Sequence, residues 1–388
     1  MPDRFTVVDL YSGAGGLSLG AERAGFHVLA AAELDPNAIT AHRINFPETL
    51  HMACDVSLLT GSLILKKIGL KKGELGGLIG GPPCQGFSTI GRRDADDPRN
   101  SLFSKFFALV SELEPAFFLA ENVPGIMNER NDKIRSEALA LIPKKYISLP
   151  PLKIKASDYG APTARTRVFF IGYDPTKLSL LTVADFLPNP SVEQVKVKTA
   201  LQGLPVLDEY WETSDGVYEV EKIFSGRFGK RVNGIIPKGV GDKEAIRNLK
   251  KFGLVTGFVP TRHSDTTLMR LRGLPQGVSD PISKCPRLSL DGYCPTLRAG
   301  TGPEKGSYQS VRPIHPLSDR VITPREAARL QGFPDWFQFH NSKWHAFRQI
   351  GNSVSPIVAE EILSVLHRKM TNNEKVLFRG PEKSFKQA

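Results

Sequence analysis

The sequence predicts an α/β fold: an open sheet followed by a second, smaller domain of irregular β structure. Two observations carry the prediction. The apolar run 5–10 passes through a glycine-rich turn, Tyr11-Ser12-Gly13-Ala14-Gly15-Gly16-Leu17, into a helix over 18–24. Polar residues then stand at the ends of successive apolar runs: Glu33 after 28–32, Asp55 after Cys54, and Glu121 after Phe117-Phe118-Leu119-Ala120. Open α/β sheets bind ligands at that edge of their strands. With 388 residues, the chain is long enough for two domains with substantial cores.

The first turn departs from G-x-G-x-x-G, because Ser18 takes the third glycine's place. It is not a P-loop either, since no Gly-Lys-Ser/Thr follows. Alone it is as readily a plain strand-to-helix turn as a binding site. Glu33 can accept both ribose hydroxyls of a nucleoside, and Asp55 could hold the exocyclic amine of adenine. The three features together favour adenosine binding.

The run 75–79 ends in Gly80-Gly81-Pro82-Pro83-Cys84-Gln85-Gly86-Phe87-Ser88. Pro83 fixes its own φ and biases Pro82 towards extended backbone, which holds the direction of the thiol without a helix. A lone cysteine in an apolar setting is more often a small buried residue than a nucleophile. Glu121-Asn122-Val123 at the next strand end changes the odds, because a thiol and a carboxylate would face one pocket. The stretch 88–100 holds Gly91, Arg92, Arg93 and Arg99 without core periodicity, and reads as a loop closing on phosphates.

Leu187-Pro188-Asn189-Pro190-Ser191 marks a linker, and beyond it glycine and proline are frequent and periodicity weak. Pro356 with Val358, Ile362, Val365 and Leu366 at helical spacing predicts an amphipathic helix that returns to the sheet. Polar composition after Met370 predicts an unstructured tail. The expected division is a catalytic and cofactor-binding domain at 1–182, a recognition domain at 183–325, a return to the first domain at 326–370, and a tail at 371–388.

Composition narrows the class. A hydrophobic share of 40% with 35 glycines and 29 prolines describes a soluble, loop-rich protein. No apolar run approaches the ~18 residues of a membrane span and no signal-peptide pattern follows Met1, so a cytoplasmic protein is expected. Cys54, Cys84, Cys285 and Cys294 lack paired short spacings, which argues against a disulfide framework or a metal cage. A reducing compartment would keep Cys84 a free thiol. The net charge of +11 suits a polyanion partner. Between Lys222 and Lys251 the basic residues Lys222, Arg227, Lys230, Arg231, Lys238, Lys243, Arg247, Lys250 and Lys251 face only Asp242 and Glu244 in number. A solvated surface would explain that stretch equally well.

Several segments resemble DNA (cytosine-5) methyltransferases of the bacterial restriction-modification type. They are 9–16, Gly81-Pro82-Pro83-Cys84-Gln85-Gly86-Phe87-Ser88, Glu121-Asn122-Val123, Arg165-Thr166-Arg167, 320–334 and Gln349-Ile350-Gly351-Asn352-Ser353-Val354. They occur in the family's order and span about 5–365. The family usually has glutamine two residues before the first arginine of Arg-x-Arg, where this chain has Thr163. Fine tuning of that strand is expected rather than loss of activity.

The resemblance implies a Rossmann-like S-adenosylmethionine-dependent methyltransferase sheet, with S-adenosylmethionine as cofactor and no metal. It places the cofactor on Leu10, Ser12, Gly13, Ala14, Gly15, Gly16, Leu17, Glu33, Leu34, Asp55, Val56, Pro83, Leu102, Asn352 and Ser353. Cytosine C5 is a poor nucleophile until a thiolate adds to C6, a step implied for Cys84. A thiol with a free pKa near ~8.5 needs help to ionise at neutral pH. Glu121, protonated through burial, would donate to N3, and Arg165 would stabilise O2 and orient the glutamate, Arg167 being left unassigned. A base within a duplex must be flipped out to reach Cys84.

Double-stranded DNA is the implied partner, a separate restriction endonuclease a possible companion, and the enzyme a monomer. DNA contacts are expected from Gln85, Ser88, Arg92, Arg99, Thr296, Leu297 and Arg298. Tyr293-Cys294-Pro295-Thr296-Leu297-Arg298 resembles the Thr-Leu element of the family's recognition region, and Arg298 could read a guanine edge or hold a phosphate. Arg262-His263 and Arg270-Leu271-Arg272 are weaker candidates. An RNA cytosine-5 methyltransferase would carry a much smaller recognition region, and an inert relative would not need Cys84, Glu121 and Arg165 together. A zinc deaminase is excluded by the missing H-x-E.

Overall fold

The structure is a computed structural model that describes residues 5–83, 100–211, 216–220, 226–299 and 312–379. A parallel block of five strands forms its centre: β1 (Thr6–Leu10), β2 (His27–Glu33), β3 (Leu50–Ala53), β4 (Gly77–Gly80) and β5 (Phe117–Asn122). Strands β6 (Ile147–Ser148), β7 (Leu152–Lys155) and β8 (Thr166–Tyr173) complete the sheet. Its order is β3-β2-β1-β4-β5-β8-β6, with β7 also on β8. β8 runs antiparallel to β5, and β6 and β7 antiparallel to β8.

The chain leaves β1 towards β2 and β3, then returns to lay β4 on the other side of β1. That reversal opens a crevice beyond the carboxyl ends of β1 and β4. Glu33, the Gly81-Pro82-Pro83 segment and Glu121 all stand on that edge.

The strands are apolar on both faces because helices cover both. Val7, Leu119 and Ile171 belong to one core cluster with Leu17 and Leu19. Val8, Leu10, Phe118 and Phe170 belong to the other, with Phe103, Phe106 and Phe107. On the first face lie α1 (Gly16–Arg23), α2 (Pro36–Asn45) and the C-terminal helix; on the second, α3 (Gly61–Ile68), α4 (Asn100–Leu113) and α5 (Asp132–Leu139). Asp35 caps α2 by accepting from Asn37 and Ala38, with Pro36 at its first position.

The region after residue 183 departs from the expectation of irregular β structure. Its ladder among the described residues is the two-residue pair β9 (Tyr218–Glu219) and β10 (Leu254–Val255). Helices α6 (Val197–Leu201), α7 (Arg227–Gly229), α8 (Lys243–Phe252) and α9 (Asp265–Arg272), with a π-helical turn at Lys230–Gly234, supply most of its other regular structure. Asp242 caps α8 by accepting from Ala245, and Gly253 closes it at φ 71°. Ile246 and Leu249 anchor α8 on the main core, and its remaining faces are polar.

The polypeptide then folds α10 (Pro324–Gln331), α11 (Lys343–Asn352) and α12 (Pro356–Arg379). α10 is fully buried and opens on a Thr323–Glu326 capping box. Three buried arginines secure it. Arg320 grips Glu326 through two hydrogen bonds, Arg329 grips Asp335 likewise, and Arg325 donates to the carbonyls of Thr256, Pro334 and Phe337. α12 packs on α1, where a Cβ at Gly20 would lie 2.3 Å from that of Ala359. It does not stop at Met370 as the composition suggested. Helical backbone continues to Arg379, with Thr371 donating to the His367 carbonyl and Asn373 to that of Thr176.

Residues 227–241 are stitched to the body that carries the sheet. Arg23 donates to the Val232 carbonyl, Arg231 to that of Tyr159, and the Gly241 N–H to the Asn45 carbonyl at the end of α2. Phe228, Val232 and Val240 belong to the main core. Among the described residues, no helix is long and apolar enough to cross a membrane.

Candidate active site

β1 ends in a turn that reverses direction through left-handed backbone at Tyr11 (φ 58°), Gly13 (φ 56°) and Gly15 (φ 105°). Glycine is needed at Gly15, where a Cβ would meet the Phe46 ring at 2.3 Å. Tyr11 is held in its unfavourable conformation by donating its hydroxyl to the Leu102 carbonyl, 3.0 Å away. The Ser12 amide donates to the Ala32 carbonyl and the Gly13 amide to Glu33 Oε2 at 2.9 Å. Asp35 donates its amide to Glu33 Oε1 at 2.8 Å. Burial pushes the Glu33 carboxyl up, and the Asp35 and Gly13 amides pull against it.

These residues fit the adenosine and amino-acid portions of the expected cofactor. The buried Ser12 hydroxyl has no hydrogen-bond partner among the described residues. Space at Gly13 is open, with nothing within 4 Å of a Cβ built there. Leu34, beside Glu33, is 65% exposed and offers an apolar face. Asp55 caps the turn Val56–Leu58 through the Ser57 amide at 2.8 Å, beside buried Val56. The end of α11 closes the turn from above: a Cβ on Gly16 would lie 2.3 Å from the Val354 carbonyl and 3.2 Å from Ser353 Cβ. Ser353 is fixed by its hydroxyl on the Gln349 carbonyl and by Gln331 on its own carbonyl. Leu10, Ala14 and Leu17 are buried beneath the turn, packing rather than displaying side chains.

Glu121 stands one strand beyond β4. Its Oε2 is 3.2 Å from where a Cβ on Gly81 would be, so that glycine admits the carboxylate next to the Pro82-Pro83 segment. Asn122 donates its amide to the Pro82 carbonyl at 3.4 Å, joining the two strand ends. Cys84 lies outside the described residues, as do Gln85, Ser88, Arg92 and Arg99. Pro83, the last described residue before them, is half-buried on the same edge.

A guanidinium on Glu121 belongs to Arg167. Arg167 Nε is 2.7 Å from Glu121 Oε1, a close ion pair whose N–H does not point squarely at the oxygen. Arg165 instead donates to the Leu297 carbonyl at 3.1 Å and to the Asn352 carbonyl at 3.5 Å. The register explains the exchange. Glu121 pairs with Phe169 across the antiparallel ladder, so Arg167 is its diagonal neighbour on the same face and Arg165 lies two residues further out. Arg167, unassigned from the sequence, thus stands at the glutamate that Arg165 was expected to orient.

Thr163 takes part in the same seam. Its hydroxyl donates to the Cys294 carbonyl at 3.2 Å and accepts from the Arg165 amide at 3.3 Å. Thr296 and exposed Arg298 follow directly, and a Cβ on Gly351 would sit 2.6 Å from Arg298 backbone carbon. The segment expected to read DNA is thus pressed between Arg165 and α11. The weaker candidates are otherwise engaged: Arg270 pairs with Asp280 at 2.6 Å, Arg272 with Glu209 at 3.1 Å, and His263 accepts from the Val321 amide. Arg231 is tied to Glu361 and Tyr159, whereas Lys250 and Lys251 are exposed on α8.

The sequence model of C-5 cytosine-specific DNA methylases matches residues 5–386. The chain belongs to that family. It is a DNA cytosine-5 methyltransferase, and the family uses S-adenosylmethionine. Among curated relatives, the type II methyltransferase M.XorII of Xanthomonas oryzae is 35% identical, covering 97% of this chain and 88% of its own. M1.HphI of Haemophilus parahaemolyticus is 31% identical over 95% of this chain and 88% of its own. A crystal structure from E. coli, provisionally assigned as a prophage-encoded DNA modification methyltransferase, superposes with a TM-score of 0.85 at 50% identity, covering 95% and 99% of the two chains. The S. pombe Dnmt2 methyltransferase shares the fold, with a TM-score of 0.59 at 18% identity over 94% of this chain and 98% of its own. The methyltransferase accordingly carries the glycine-rich turn, Glu33 and Glu121 on one sheet edge.

Proposed function

We propose that the chain is a site-specific enzyme of a restriction-modification system that methylates C5 of a flipped cytosine through a covalent Cys84 adduct. The observation that carries this reading is the meeting of Glu121, Arg167 and Gly81 three residues before Cys84. Names of the relatives, all type II methyltransferases, support the restriction-modification setting.

Cys84, as thiolate, forms a bond to C6 of the cytosine and its electrons move through the ring towards N3. Glu121 gives its proton to N3, leaving C5 as an electron-rich enamine carbon. Arg167 holds the carboxyl in line and meets the charge that gathers at O2. The cofactor, when bound, supplies a methyl on a sulfonium for C5 to displace. Loss of the C5 proton to solvent then expels Cys84, and Glu121 recovers its proton from N3. Ser12, the Gly13 turn, Glu33, Leu34 and Asp55 would hold the cofactor. Arg92 and Arg99 would contact the DNA, and the region 183–325 would choose the site.

Bisulfite sequencing of DNA from a host expressing the chain tests the reading. Protection of cytosine at one recurrent sequence supports it. Uniform conversion, or protection scattered without a common site, contradicts it.

A further inference from the structure

Beneath the glycine-rich turn runs a chain of four polar side chains, three of them buried, that the proposed mechanism does not use. Asp9, the penultimate residue of β1, is fully buried. Its Oδ2 lies 2.7 Å from Ser18 Oγ in the first turn of α1. Ser18 Oγ lies 2.9 Å from His42 Nε2 on α2, and His42 Nδ1 lies 2.9 Å from His51 Nε2 on β3. Asp9 Oδ1 has no hydrogen-bond partner among the described residues. His51 is half-buried on the sheet's edge strand, so one end of the chain reaches the surface.

Each link is shared by a single proton, and that makes the chain directional. With Asp9 ionised, Ser18 donates to it, His42 Nε2–H donates to Ser18, and His51 Nε2–H donates to His42 Nδ1. With Asp9 protonated, every donor reverses: Asp9 donates to Ser18, Ser18 to His42 Nε2, and His42 Nδ1–H to His51 Nε2. One proton taken up at His51 Nδ1 converts the first arrangement into the second, with one hop per link and no charge left on an intermediate. We propose that this chain carries a proton between solvent and Asp9, so that the charge beneath the turn follows the cofactor: carboxylate under a sulfonium, carboxylic acid under the neutral thioether product.

The inference rests on the reading of the turn as the cofactor site. The surroundings suit it. Burial, with Glu33 repelling across from β2, pushes the Asp9 carboxyl up to about 7, against the bond from Ser18. Burial holds the His42 imidazole well below its usual range, and burial with Arg43 alongside brings His51 down to about 4, so both rings pass protons as neutral tautomers. Between Gly77 and Gly80, β4 has no titratable side chain. On α1, Glu22 is turned to His27 and Arg23 to Val232 and Glu360.

S-adenosylmethionine and S-adenosylhomocysteine differ by one methyl and the charge it leaves on sulfur, and the methyl does not titrate, so the pH dependence of their affinity ratio isolates the effect. Calorimetric titration of the full chain with each, between pH 6 and 8 in two buffers of different ionisation enthalpy, should show protons released with the sulfonium and taken up with the thioether. The ratio of product to cofactor Kd should rise roughly a hundredfold over that range, tenfold from the ionised fraction that the cofactor selects and tenfold from the protonated fraction that the product selects. In Asp9→Asn the ratio should be flat, and in Ser18→Ala the histidine tautomers should lose their dependence on Asp9. Nitrogen-15 spectra should show His42 and His51 as Nε2–H tautomers with S-adenosylmethionine and Nδ1–H with the product. A pH-independent ratio in the native chain, an equal slope in Asp9→Asn, or unchanged tautomers overturns the proposal. If neither compound binds, the cofactor site is misread, and tautomers unchanged between pH 6 and 8 in the unliganded protein would sink the chain as well.

Discussion

Arg165 and Arg167 differ by two residues, and one donates to the Leu297 and Asn352 carbonyls while the other stands against Glu121. Arg167→Ala removes the guanidinium from Glu121 and should lower kcat by a hundredfold or more, with little change in the unfolding temperature. Arg165→Ala leaves the Leu297 and Asn352 carbonyls short of a donor, which costs about 1–3 kcal/mol when such groups are buried. Its signature should be lost stability and weakened DNA binding. Single-turnover rates and melting curves for both variants check the assignment, and the reverse pattern would return the acid-orienting role to Arg165. Glu121→Gln should slow transfer by orders of magnitude; a change within about threefold, less than ~1 kcal/mol of barrier, would remove it as the acid. The sequence showed both arginines but not which one meets the glutamate. That depends on the antiparallel pairing of Glu121 with Phe169, a register set by packing across the sheet and not by the Arg-x-Arg spacing.

At the scale of elements, the turn after β1 was legible because glycine, carboxylate and strand end repeat a local physical pattern. Its supports were not. Asp9 and Ser18 stand nine residues apart, and His42 and His51 come from two further elements, so nothing local announces the chain they form. The turn's stability should carry the mark of Asp9. Its folded-state pKa, about 7, lies above the ordinary 3.8, so the folded protein holds the proton more tightly. This contribution is present in full below about pH 4 and is lost as pH rises to about 7. Urea unfolding should therefore show Asp9→Asn gaining on the native chain between pH 5 and 8, by on the order of a few kcal/mol. An equal gap at both pH values would mean that Asp9 does not titrate in that window. Helix α8 was hidden for another reason. Asp242 and Gly253 are good caps, but Ile246 and Leu249 are few among basic residues, and the surrounding glycines and prolines favoured an irregular reading. The C-terminal tail shows the same limit, since Thr371 and Asn373 extend α12 by bonds to His367 and Thr176 that polarity alone does not suggest.

Across the whole molecule, the sheet order places every expected cofactor residue that the structure describes on or beneath one edge, and α10 and α11 carry the late part of the chain back to it. Within residues 183–325, proposed to choose the site, Phe228, Val232 and Val240 share the main core. Two of that region's exposed cations should differ in effect. Arg298→Ala should relax the preferred site at one position, at a cost of roughly 1–3 kcal/mol. Lys250→Ala should weaken all sequences alike and reduce the salt dependence of binding. Methylation of a randomised-site library, with binding followed across salt, separates the two, and a changed site preference for Lys250→Ala would place the reading surface elsewhere. The most direct test of the catalytic account uses duplex DNA bearing 5-fluorocytosine at the recognised position. Fluorine cannot leave C5 as a proton does, so elimination of Cys84 is blocked after methyl transfer. Incubation with S-adenosylmethionine should yield a protein–DNA adduct that survives denaturing electrophoresis and maps by mass spectrometry to Cys84, and Cys84→Ser should yield none. An enzyme that methylates cytosine yet forms no adduct, or one joined through another residue, would contradict the account.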